Sequence, residues 1–104
     1  MKPLAEYLKS HFGDDFPVGI GSAKRDDPLV ITELRLYVPI EYSIARLLLS
    51  DYDHELEEQC LHQENGRSID ELVYKAKPIG SKEWTVTRRF FFDITAGFSR
   101  LGEL

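Results

Sequence analysis

Residues 40–62 read IEYSIARLLLSDYDHELEEQCLH, and the way this stretch folds decides what can cover the rest of the chain. Ile44, Leu48, Tyr52, Leu56 and Cys60 recur every four residues, with Leu47 widening the row. That is the spacing of one helical face. Pro39 stands where a first helical turn accepts it. The pattern predicts a helix over about 40–62, roughly 35 Å long. Ser50 or Asp51 would also serve as the N-cap of a second helix, with acids after it to suit a helix N-terminus, so a break there is the alternative. Gly66 ends the element in either version.

Upstream, residues 29–38 (LVITELRLYV) alternate as a strand. One face carries Val30, Thr32, Leu34, Leu36 and Val38, and the other Leu29, Ile31, Glu33, Arg35 and Tyr37. We take the first as the core face. Residues 16–23 (FPVGIGSA) read as a weak strand, and Lys24–Pro28 as a turn. Residues 3–12 predict a short helix, with Pro3 in its first turn and Gly13 at its end.

Downstream, residues 72–77 and 83–95 predict a hairpin across Pro78-Ile79-Gly80-Ser81. The second arm is the strongest β signal in the chain. Trp84, Val86, Arg88, Phe90, Phe92 and Ile94 share one face, and Thr85, Thr87, Arg89, Phe91, Asp93 and Thr95 the other. Phe98, Leu101 and Leu104 then recur at three-residue spacing, as in a final helical turn. The order helix, hairpin, helix, hairpin, tail predicts an α+β fold. Its sheet is four-stranded and mainly antiparallel, covered on one face by one long and one short helix. One domain spans residues 1–104, with residues 96–104 as a C-terminal tail.

The chain has 104 residues and a formal net charge of −5, with 42% hydrophobic residues, which is globular composition. Cys60 is the single cysteine, which excludes an internal disulfide. No apolar run approaches the roughly 20 residues of a membrane span. Glu6 stands where a signal peptide would be apolar, so a cytoplasmic protein without a membrane partner is expected.

The charge is unevenly placed. Asp51, Asp53, Glu55, Glu57, Glu58 and Glu64 have no Lys or Arg among them, and a segment of opposite sign follows, with Arg67, Lys75, Lys77, Lys82, Arg88 and Arg89. A basic protein partner docking on Glu55, Glu57 and Glu58 would suit the acidic segment.

Other chemistry is weaker. His54, Glu58 and His62 would line one helical face, but a spacing of eight residues is about 12 Å, too long for one ion. No metal and no cofactor is assigned. Cys60 and His62 point apart on a helix. Gly19-Ile20-Gly21-Ser22-Ala23-Lys24 lacks the spacing of a phosphate loop and precedes a strand. Arg88-Arg89-Phe90-Phe91-Phe92 has the residue types of a single-strand binder, yet the aromatics fall on the core face and the acidic segment repels phosphate, so nucleic acid is disfavoured.

Arg88 interrupts an apolar row. It either snorkels at a sheet edge or anchors a pocket with Trp84, Tyr52, Phe90 and Phe92. Leu29, Ile31, Tyr37 and Phe91, with Val73, would form an apolar patch on the second sheet face, which suggests a homodimer. Light scattering at the monomer mass of 12.0 kDa would overturn it. The leading expectation is a non-enzymatic interaction or regulatory module acting as a homodimer. The alternative is a small-molecule-binding domain or small enzyme with an aromatic pocket, and no catalytic residue is assigned.

Overall fold

The computed structural model describes residues 3–102, with side chains through residue 98. In chain order it contains α1 (Leu4–Phe12), β1 (Leu29–Val30), α2 (Tyr37–Leu48), β2 (Tyr52–Glu64), β3 (Arg67–Pro78), β4 (Val86–Asp93) and α3 (Thr95–Gly102). The sheet order is β1-β4-β3-β2. β2, β3 and β4 are antiparallel neighbours, whereas β1 runs parallel to β4. The expected α+β class and four-stranded sheet hold, and the sheet is mixed.

The helix of residues 40–62 is corrected to a helix followed by a strand. α2 stops at Leu48, Ser50 N–H donates to the Leu47 carbonyl (3.2 Å) and Tyr52 N–H to that of Leu49 (2.9 Å). β2 then pairs with β3 from Tyr52↔Pro78 to Glu64↔Arg67. The reason lies in the spacing itself. Tyr52 and Leu56 are four apart, and four is a multiple of the strand period of two as well as about one helical turn. Asn65 and Gly66 take φ values of +53° and +77°, the double left-handed geometry that joins two twisted antiparallel strands. The Asn-Gly pair was the signal for this hairpin, and Gly66 belongs to its turn.

A bulge between Leu56 and Glu58 shifts the side chains of β2. His54 and Leu56 pair with Ala76 and Tyr74, and Gln59 and Leu61 pair with Leu72 and Asp70. All four β2 residues therefore share the face that carries the core residue Leu72. Glu55, Glu58, Cys60 and His62 lie on the other, which breaks the expected row of Tyr52, Leu56 and Cys60.

The faces assigned to residues 29–38 are also inverted. Leu29 pairs with Phe92, and Leu29 and Ile31 are fully buried in the core with it. Both rows contained aliphatic residues, so pairing with β4 and not alternation made the choice. The strand is short because the Glu33 carboxylate accepts the Leu34 and Arg35 amides (3.1 and 3.4 Å), which turns the chain into α2. Residues 17–20 bond to 30–32 through Gly19 N–H to Val30 O, Val30 N–H to Ile20 O and Thr32 N–H to Pro17 O. That segment caps the β1 side of the sheet.

The core is one layer between sheet and helices. Leu8 of α1 and Ile44, Ala45 and Leu49 at α2 pack with Leu29, Ile31, Leu72, Phe90, Phe92 and Ile94. Asp93 links β4 to α3: its carboxylate accepts the Thr95 amide (3.0 Å) and hydroxyl, and takes Arg67 Nε–H at 2.9 Å. Residues 96–102 of the expected tail are thus helical, and Thr95, expected to end the last strand, opens α3. Leu104 lies outside the described residues. The radius of gyration is 14.1 Å, above the roughly 13 Å usual for this length. The long β2–β3 hairpin accounts for the excess.

Gly21 has φ +114°, and a Cβ there would stand 2.0 Å from the Pro28 carbonyl oxygen. The glycine serves a close backbone approach. Gly21→Ala is expected to lower stability by at least about 2 kcal/mol. Gly19→Ala, whose Cβ meets Val30 at an ordinary 3.4 Å, stays within about 1 kcal/mol. Urea denaturation of the two variants checks the contrast.

Candidate functional site

The free edge of the sheet is β2. None of its thirteen residues is buried. Its outer backbone groups have no strand partner among the described residues. Asp53, Glu55, Glu57, Glu58 and Glu64 lie on it, with no Lys or Arg. Unpaired strand edges are templates for another strand, and charges and a bulge are the usual safeguards against indiscriminate pairing. Both safeguards occur here, and the charges have a single sign.

On the helix side, α2 stands back from β2 and leaves a groove. Tyr42 of α2 bridges it, donating its hydroxyl to Gln59 Oε1 at 3.0 Å. On one side of this bridge lies a cleft of about 260 Å³ at Tyr42, Arg46, His54, Leu56 and Tyr74. On the other lies a cleft of about 230 Å³, where Tyr37, Gln59, Leu61, Asp70 and Phe98 converge. Leu56 and Leu61 are 39% and 47% exposed, so the groove offers aliphatic surface beside the acidic edge.

Beneath the groove are two buried acids. Gln59 Nε2–H donates to Asp70 Oδ2 at 2.7 Å, extending the Tyr42–Gln59 bridge inward. Glu41 of α2 is fully buried, and neither of its carboxyl oxygens accepts a hydrogen bond from an N–H or hydroxyl donor among the described residues. Burial, reinforced by the neighbouring Asp70, pushes its pKa up to about 10. Glu41 is therefore protonated at neutral pH. Burial and then the charges of Asp70 and Glu41 also raise the Tyr37 phenol. Nothing in the sequence marks Glu41 and Asp70 as a buried pair. Glu41 sits in the second turn of an amphipathic helix, where an acid ordinarily belongs to the solvated face.

The opposite sheet face is covered by charged side chains. Glu71 accepts from His62 and from Arg89, each at 2.8 Å, and Glu55 pairs with Lys75 at 3.2 Å. The hydrogen bond from His62, aided by Arg89, holds the Glu71 carboxyl below its usual value despite burial. Burial pushes Asp93 up, but the bonds from Thr95 and Arg67 outweigh it and its pKa is lowered. The Cys60 thiol donates to Glu58 (3.2 Å), and that bond raises its pKa.

The residues expected to form an aromatic pocket are dispersed. Phe90 and Phe92 are buried in the core. Trp84 precedes β4, is 40% exposed and lies against Lys75 and Lys77, whose Nζ atoms are 4.7 and 4.5 Å from its ring. Arg88 is exposed near Tyr52, 5.9 Å from its ring, in the snorkelling arrangement. Arg88 meets Tyr52, and Tyr52 packs against the core cluster that holds Phe90 and Phe92, without an open pocket among them. The proposed second-face patch is likewise corrected. Leu29 and Ile31 are core, Phe91 is 7% exposed beside Ile69 and His62, and Tyr37 is half-buried in the groove. Glu55, Glu57 and Glu58 are all exposed on β2. His54 lies on the helix side against Tyr74, with ring centroids 5.7 Å apart, away from Glu58 and His62.

No family model, curated protein or solved structure matches the chain. No helix among the described residues is long and apolar enough to cross a membrane.

Proposed function

We propose that the protein is a non-enzymatic interaction module that docks a basic, extended segment of a partner protein along β2. The observation that carries this reading is a free thirteen-residue edge strand with five acids and no Lys or Arg. Strand addition derives affinity from main-chain hydrogen bonds and specificity from alternate side chains. Acids along the edge favour lysine-rich strands and disfavour acidic ones. The same charges weigh against a second copy of the chain, because antiparallel pairing of two β2 edges brings carboxylates together. The aliphatic groove beside the edge gives one face of the incoming strand somewhere to pack.

The test uses a synthetic peptide of about ten residues alternating lysine and valine. Calorimetry is expected to show binding that weakens with salt. Replacing Glu55, Glu57 and Glu58 together by Gln lowers affinity at least about tenfold. N-methylation of alternate peptide amides, which removes main-chain donors, abolishes it. Equal affinity for the N-methylated peptide or for the triple variant would overturn the reading. So would light scattering that shows the chain alone as a dimer paired through β2.

A further inference from the structure

The buried acids raise a separate question. Asp70 is 4% exposed and Glu41 fully buried, and neither carboxyl forms an ion pair with any cation among the described residues. Neither oxygen of Glu41 accepts a hydrogen bond, and its carboxyl is held against that of Asp70. A buried charge without a counter-ion is costly, and an unsatisfied buried polar group in a native fold calls for an explanation. The cleft of about 230 Å³ has Asp70, but not Glu41, on its wall, together with Tyr37 and Phe98. Gly97 has no side chain to hold α3 away from Tyr37: a Cβ there would meet the Tyr37 ring at 2.9 Å. The approach of α3 helps to build the cleft.

A carboxylate inside an aromatic-lined recess is the chemistry that recognises an organic cation. We propose that this cleft is a specificity pocket for one lysine side chain of the docked segment, with its ammonium on Asp70. The inference rests on the docking of a basic segment at β2. It selects lysine over arginine by donor geometry. Gln59 donates to Asp70 Oδ2 and leaves fewer free lone pairs for the paired bonds of a guanidinium fork, whereas an ammonium needs only one acceptor. The aliphatic stem lies between Leu61 and the rings, as a lysine stem prefers. The other cleft is unsuited to a cation because Arg46 already lines it.

The experiment follows backbone amide NMR shifts with two probes, n-butylammonium and the alternating lysine–valine peptide. The amine alone is expected to shift Tyr37, Leu61 and Ile94 saturably, and the neutral n-butanol to leave them unmoved. Asp70→Asn lowers amine affinity at least about tenfold, while Glu41→Gln, which keeps a neutral donor beside Asp70, stays within about threefold. Leu61→Trp fills the cleft from an exposed position and blocks the amine even if Asp70→Asn fails to fold. Saturable amine binding that Asp70→Asn or Leu61→Trp leaves intact overturns the pocket. Peptide that binds wild type and Asp70→Asn equally overturns the pocket but leaves the docking at β2 standing. Amine binding without peptide binding supports the pocket and overturns the docking.

Discussion

Raising the pH from about 5 to about 8 is expected to lower the stability of the fold by up to about 4 kcal/mol through Glu41. The folded chain holds the Glu41 proton with a pKa of about 10, against an ordinary value of 4.5. Between those values the folded state binds one more proton than the unfolded chain, so stability falls as pH rises, by up to about 1.4 kcal/mol per unit. The contribution is present in full below pH 4.5 and gone above about 10. Glu71 and Asp93 act in the opposite sense. Their lowered pKa values contribute stability that is lost as pH falls below their ordinary 4.5 and 3.8. Stability therefore peaks in mild acid. Glu41→Gln cannot titrate and is expected to remove most of the loss above pH 5, leaving the variant more stable than wild type at about pH 8. Urea midpoints of both proteins across this range measure it. Parallel profiles would show that Glu41 is ionised in the fold.

The second large effect lies in the run Phe90-Phe91-Phe92. All three rings are buried, but Phe92 alone is fully so, and it sits in the single core layer beside Leu29. Phe92→Ala is expected to cost about 3–5 kcal/mol, a large share of the roughly 5–15 kcal/mol that holds a domain folded. Phe91 lies on the opposite face against Arg25, His62 and Glu64, whose long side chains can collapse into the space it leaves. Phe91→Ala is expected to cost roughly half as much. Chemical denaturation of the two variants ranks the faces, and equal losses would contradict a one-sided core.

These two sites differ in how far they were legible. The β4 run reads as a strand because β-branched and aromatic residues alternate over it, and its role in the core follows from Phe90 and Phe92 sharing a face. The acidity of Glu55, Glu57 and Glu58 is equally plain. Its setting on an edge strand is not, because a four-residue repeat suits a helix and a strand alike. Asn65-Gly66 is the local signal that decides between them. Glu41 gives no such signal, since its burial and its neighbour Asp70, which arrives from β3, are set by how α2 packs on the sheet.

Alternation, turn residues and charge determine locally that this chain is an α+β domain with an acidic middle and a strong last strand. These are properties of a few neighbouring residues, which is why they survive without coordinates. Tertiary pairing alone decided that β1 runs parallel to β4, and that Leu29 and Ile31 face inward. It also decided that β2 forms an open acidic edge, and that two carboxyl groups are brought together beneath it. Each of these depends on which distant segments meet, and a sheet face or a buried proton is set by the partner strand rather than by the residue itself.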